Sequence, residues 1–168
     1  STSIEFALRI NAEEVYSRLV ALGGDTTHIR TFTLKGKYMG QTQPGSTPAL
    51  FAPNVISTEE SEFGSVFSAN GTEFFLGVEV NRRNEIRYSK LVNGTWTTPV
   101  VILAHEQYGY NDPFLSPDEQ RLYCISGQPL SGEGEAKDID IWYVQKEGAG
   151  WSEPINAGPN INADRNEN

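Results

Sequence analysis

Large apolar residues at Ile4, Phe6, Leu8 and Ile10 alternate with Glu5, Ala7 and Arg9, the period of a half-buried strand. Asn11 follows as a helix N-cap, with Glu14 three positions on as its capping partner. Val15, Leu19 and Leu22 then share one stripe at helical spacing, and Gly23-Gly24 supplies the left-handed residue that ends a helix. Residues 29–34 return to a strand pattern. Residues 1–40 are therefore predicted to form a strand-helix-strand segment, too small to bury a core alone and bound to dock on something. The run Gly23-Gly24-Asp25-Thr26-Thr27 follows a helix and lacks phosphate-loop spacing, so it is not read as a phosphate site.

Residues 41–53, rich in proline and glycine, read as a linker that ends in a short apolar strand at 49–52. The domain boundary is expected near residue 40, with residues 41–168 as one unit. From residue 61 onward the pattern repeats. Phe74-Phe75 stands 48 positions before Leu122-Tyr123, and Ser68-Ala69-Asn70-Gly71 stands where Ser116-Pro117-Asp118-Glu119 stands. In the first copy, about 61–103, strands are predicted at 65–68, 73–80, 85–92 and 96–100. In the second, about 109–158, they are predicted at 112–116, 121–126, 139–146 and 151–155. Ile86 and Tyr88 match Ile141 and Tyr143, and Trp96 and Pro99 match Trp151 and Pro154, here at an offset of 55. The additional length falls in 127–137, which has the composition of an exposed loop. Asn93-Gly94 is a strong hairpin signal, since both central residues of that turn need positive φ. Four antiparallel strands in each tandem unit of about 50 residues is the pattern of a β-propeller blade. Trp96, Trp151, Tyr88 and Tyr143 are then expected between blades, each buried aromatic contributing roughly 1.5–3 kcal/mol. A tryptophan pair lining a sugar site is the competing reading.

Composition narrows the partners. The chain has 13 Lys plus Arg against 22 Asp plus Glu, a net charge of −9. No basic face is available for phosphate backbones, which argues against nucleic acid. Sixteen glycines, nine prolines and 11% aromatics suit a mainly β protein with many tight turns. Cys124 is the only cysteine, so no internal disulfide is possible; between Tyr123 and Ile125 it reads as a small buried hydrophobe. No apolar run reaches the ~20 residues needed to span a bilayer.

The second copy also carries family-like residues. Asp112-Pro113-Phe114-Leu115-Ser116-Pro117-Asp118, Leu122-Tyr123, Asp138-Ile139-Asp140-Ile141-Trp142 and Gly150-Trp151-Ser152-Glu153-Pro154-Ile155-Asn156 together resemble the TolB-type, WD40-like β-propeller repeat. The tail Pro159-Asn160-Ile161-Asn162 resembles the lead into a following blade. The resemblance spans about residues 49–168; in the first copy Asn70 replaces the turn aspartate and Arg87 stands at the place of Trp142. It implies a partial propeller, with Ser68, Phe74, Tyr88, Trp96, Ser116, Asp118, Tyr123, Tyr143 and Trp151 as repeat positions. It also implies an extracytoplasmic setting, periplasmic or secreted, in bacteria.

Candidate chemistry is sparse. The most polar and aromatic stretch holds His105, Glu106, Tyr108, Tyr110 and Asp112, leading into the innermost strand where propellers present ligand contacts. These five are the candidate ligand-binding residues, with an ordinary connecting loop as the alternative. Glu133, Glu135, Asp138 and Asp140 raise a calcium site, since hard cations want several oxygen ligands. The first two lie in a glycine-rich loop, which leaves Asp138 and Asp140 as metal candidates that the repeat motif also explains. His28 and His105 fit no zinc spacing. There is no G-x-S-x-G nucleophile elbow, and Ser116-Pro117-Asp118 lacks the glycine and tryptophan of a sialidase aspartate box. Asn70-Gly71-Thr72 and Asn93-Gly94-Thr95 are formal glycosylation sequons, both on expected turns.

Two functional expectations follow. One is a non-enzymatic binding or scaffold propeller of the bacterial envelope or secreted fraction, recognising a protein or glycan without a cofactor. The other is a propeller-type enzyme, or an accessory domain of a polysaccharide- or peptide-degrading enzyme, with its catalytic residues elsewhere. Sixteen residues separate Trp96 from Asp112, and sixteen beyond Trp151 is Glu167. Two units do not close a ring, so the expectation is a piece of a longer protein or a head-to-tail homo-oligomer, with an apolar face exposed on the isolated chain.

Overall fold

The computed structural model describes residues 34–43, 45–163 and 165–166. The N-terminal strand and helix expected in 1–33 lie outside the described residues. Within them the chain is mainly β, with two antiparallel sheets of five strands each. The first holds β1 (Ser61–Phe67), β2 (Glu73–Val80), β3 (Arg83–Val92), β4 (Thr95–Trp96) and β5 (Val100–Leu103). The second holds β6 (Asn111–Leu115), β7 (Arg121–Ser126), β8 (Asp140–Glu147), β9 (Gly150–Trp151) and β10 (Ile155–Asn156). Each runs as a meander, β1-β2-β3 and β6-β7-β8, with two short strands completing it on the far side of β3 or β8.

Those short pairs correct the fourth strand, expected unbroken at 96–100 and at 151–155. Each copy has a proline in that run, Pro99 or Pro154, which removes a ladder donor. At the break a hydroxyl two residues before each proline takes the N–H of the neighbouring strand: Thr97 Oγ1 accepts from Lys90 N at 3.0 Å, and Ser152 Oγ accepts from Gln145 N at 3.0 Å. A second correction concerns 49–52, where no strand forms. Ala52 has φ 42°, and its carbonyl accepts from Val55 N at 3.1 Å and Ile56 N at 2.9 Å. The chain turns there instead of extending, and Leu50 stays exposed.

The hairpins follow turn chemistry. Asn93 and Gly94 both have positive φ, 49° and 79°, as a two-residue primed turn requires. Asn81 and Arg82 make the β2–β3 turn in the same way, with φ 53° and 63°. Ser68 and Ser116 organise the β1–β2 and β6–β7 turns identically. Each hydroxyl donates to the residue two on, Asn70 Oδ1 at 2.9 Å or Asp118 Oδ1 at 2.6 Å. Each also accepts the backbone N–H five on, from Glu73 or Arg121, at 2.9 Å. Where Gly71 has φ 71°, Glu119 has φ 57°; its carboxylate crosses to Ala69 N, 2.5 Å away, in the other sheet's turn.

The packing is layered. Phe74, Leu76 and Val78 on one face of β2 bury with Trp96 against Met39, Ala52 and Ile56 of the segment before the sheet. Phe75, Ile86 and Leu103 on the opposite face bury against Leu115, Leu122, Cys124, Trp142 and Val144 of the second sheet. β2 is therefore apolar on both faces. The segment is also hydrogen-bonded in: Trp96 N donates to Leu34 O at 2.8 Å, and the Trp96 indole donates to Gly36 O at 2.8 Å.

Candidate functional site

The stretch singled out around His105 divides in two. Tyr108 and Tyr110 are buried at 3% exposure each and spend their hydroxyls inside the protein. The Tyr108 hydroxyl donates to Gly134 O, and the Tyr110 hydroxyl to Gln128 Oε1, both at 2.5 Å. Burial pushes the Tyr110 phenol up to about 12. Together they pin the 127–137 loop to the connection between the sheets. His105 stacks on Tyr108, centroids 4.6 Å apart, and accepts Gln107 N–H on Nδ1 at 3.1 Å. With exposed Glu106 and with Glu133, it lines an open depression of about 540 Å³ whose floor includes Gly132 and Gly134. Asp112 is not in this group. It sits at a bulge of β6 with φ 51°, its carboxylate facing Gly64, which occupies the matching bulge of β1 with φ 39°.

Metal and nucleophile chemistry find little support in the geometry. Among the described residues no three His, Cys, Asp or Glu side chains converge on one point. Asp140 accepts from Asn156 Nδ2 at 2.9 Å, within a network in which Asn162 bonds both Ile141 N and Ile141 O at 2.9 Å. Asp140 is thus committed to fastening the tail onto β8. Cys124 is buried, and desolvation pushes its thiol up to about 12, so it stays protonated and inert at neutral pH. Asp118 is held below the usual carboxylate range, first by the Ser116 hydroxyl and then by Gln120 N–H.

Of the repeat positions Phe74, Tyr88, Trp96, Tyr123, Tyr143 and Trp151, only Tyr123 and Tyr143 mark a second candidate, one that composition alone did not suggest. Phe75 pairs with Tyr88 at 5.0 Å on the covered face of the first sheet; Tyr123 pairs with Tyr143 at 5.7 Å on the outer face of the second. Among the described residues no element packs against that outer face. Phe114 is 59% exposed on it, and Ile155 39%, while Tyr123, Ile125, Ile141 and Tyr143 are half-buried. The available signal was β7 itself: Leu122 and Cys124 alternate with Tyr123 and Ile125, so the strand is apolar on both sides, as a strand covered twice would be. Trp151 packs edge-on to Phe75 of the first sheet at 5.6 Å. Trp96, its counterpart, faces Phe67 and the preceding segment instead.

Among the described residues no helix is long and apolar enough to cross a membrane. Comparison with known proteins found no matching family model, no matching characterised protein and no matching solved structure.

Proposed function

We propose that this chain is a non-enzymatic binding and scaffold module, a partial β-propeller whose two sheets are successive blades. In this reading it works outside the cytoplasm, recognising a protein or glycan of the bacterial envelope or secreted fraction. What supports it above all is the order of the faces. The second sheet covers the Phe75–Tyr88 face of the first with its Leu122–Cys124 face, and presents its own Tyr123–Tyr143 face outward. Read as two copies of one unit, the sheets stack with the same side leading, the order expected of propeller blades and not of a sandwich closed face to face.

The His105–Glu106 depression is the ligand site of this reading. It sets the His105 ring, backed by Tyr108, beside the carboxylates of Glu106 and Glu133, a combination suited to hydroxyl-rich or cationic groups. The test is calorimetric titration of the full chain with soluble peptidoglycan fragments and with basic peptides, beside turnover assays on the same compounds. Saturable binding weakened by His105→Ala and Glu106→Ala is expected. Cleavage of either compound class would contradict the non-enzymatic reading.

A further inference from the structure

We propose that the open face of the second sheet takes a third antiparallel sheet of this same repeat, one that brings an Asp or Glu carboxylate to Arg121. The inference rests on the stacked-blade reading and adds the chemistry of the partner.

The covered face of the first sheet is the template. Val66, Phe75, Ile86 and Tyr88 lie under the second sheet, and the seam is closed by charge at its rim. Glu73 accepts the Tyr88 hydroxyl on Oε1 at 2.5 Å and Lys146 Nζ on Oε2 at 3.0 Å. One repeat further on, the same places are held by Phe114, Tyr123, Ile141 and Tyr143, and the place of Glu73 is held by Arg121. Its guanidinium lies 4.9 Å above the Tyr143 ring, and the residue is exposed. The apolar surface is conserved in kind between the two faces of this chain, while the sign of the rim charge is reversed. A covering sheet with lysine at the place of Lys146 would set two cations together. A carboxylate there pairs with Arg121, in a bond that guanidinium geometry favours.

The same comparison argues against a second copy of this chain as the occupant. The place of Lys146 is held in the first sheet by Leu91, so neither sheet offers an acid. The face of the first sheet that would have to cover a neighbour, with Phe74, Leu76 and Trp96, is already buried on Met39, Ala52 and Ile56.

The test extends the full chain after residue 163 with a second copy of residues 109–163, which preserves the sixteen-residue spacing from Trp96 to Asp112. The copy carries Phe114→Asp and Tyr123→Asp, so that its own outer face takes up no dye, with either Lys146 or Lys146→Glu; the host carries either Arg121 or Arg121→Glu. Urea unfolding and hydrophobic-dye binding are read on all four chains. With Arg121 in the host, the glutamate copy is expected to raise the folding equilibrium constant about 2–5-fold over the lysine copy, the usual size of a rim ion pair. With Arg121→Glu the order is expected to invert. Dye exclusion with no dependence on charge would overturn the inference and leave the stacked-blade reading standing. Extended chains that still bind dye would overturn both. An unextended wild-type chain that hides the face by forming a discrete oligomer would show that a second copy is the occupant, and would also overturn the inference.

Discussion

Lys146 Nζ lies 3.0 Å from Glu73 Oε2 and ties β8 of one sheet to β2 of the other. The two side chains are 32% and 17% exposed, and the lysine also lies 5.7 Å over the Trp151 ring. Partial exposure limits what such a pair contributes. A double-mutant cycle of Glu73→Gln and Lys146→Met is expected to give a coupling of about 0.5–1 kcal/mol that shrinks at high salt. A coupling indistinguishable from zero at low salt would mean that the apolar packing around Phe75 holds the seam without help from this pair.

Gly64 is expected to resist substitution more than other glycines of positive φ. A Cβ there would stand 3.0 Å from Asp112 Oδ1 and 3.2 Å from Asp112 Cα, at φ 39°. Gly94, at φ 79°, has nothing within 4 Å. Gly94→Ala should therefore cost only backbone strain, about 1–2 kcal/mol, and Gly64→Ala more than that. Chemical unfolding of the two variants side by side checks the difference.

Arg82 is the opposite case, a non-glycine residue at φ 63° in the β2–β3 turn, exposed on the surface. Arg82→Gly turns Asn81-Arg82 into the favoured Asn-Gly pair. It should raise stability by about 0.5–1 kcal/mol, with strain relief outweighing the entropy cost of glycine. A lower urea midpoint in the variant would contradict this.

The loop at 127–137 was expected to be a plain exposed insertion. The Tyr108 hydroxyl bonded to Gly134 O changes that expectation. Deleting 131–136 leaves a buried hydroxyl without its acceptor, so a loss of about 1–3 kcal/mol is expected. In a Tyr108→Phe background the same deletion should cost much less. Equal costs in both backgrounds would show that the bond is not what anchors the loop.

Acid sensitivity should come from one turn and not its twin. Asp118 has a folded pKa below its ordinary 3.8, chiefly through the Ser116 hydroxyl. Its stabilising contribution is complete above the unfolded pKa, about 4, and is lost as pH falls through the lowered folded value. Asn70, at the same place in the first turn, does not titrate. Unfolding midpoints between pH 2 and 6 should fall less steeply toward acid in Ser116→Ala and Asp118→Asn than in wild type. An unchanged acid slope would remove Asp118 from the explanation.

Much of the strand pattern was legible in the sequence. β2 at Glu73–Val80 and β7 at Arg121–Ser126 have the bounds expected for them, because each is an apolar run closed by a Ser-x-Asn or Ser-x-Asp turn. The turn at Asn93-Gly94 was legible for the same local reason. Nonlocal features were not. Pro53-Asn54, with Asn54 at φ 67°, did signal the turn that Ala52 O closes with Val55 N, though the apolar run before it suggested a strand; that this turn seats Ala52 and Ile56 under Phe74 and Trp96 was not legible. Pro99 and Pro154 did carry the break in the fourth strand, but matching tryptophans drew the strands across them. In the His105 stretch, composition marked Tyr108 and Tyr110 as candidate contacts. Only the distant carbonyl partners at Gly134 and Gln128 decide that their hydroxyls point inward.

The stacked arrangement stands or falls on whether the Tyr123–Tyr143 face is open in solution. Binding of a hydrophobic dye to the monomeric full chain, measured for wild type and for a Phe114→Asp/Tyr123→Asp variant, tests this most directly. Saturable binding by wild type is expected, abolished in the variant with the circular dichroism spectrum unchanged. A wild-type monomer that melts cooperatively and binds no dye would contradict an open face, and with it the reading of two successive blades.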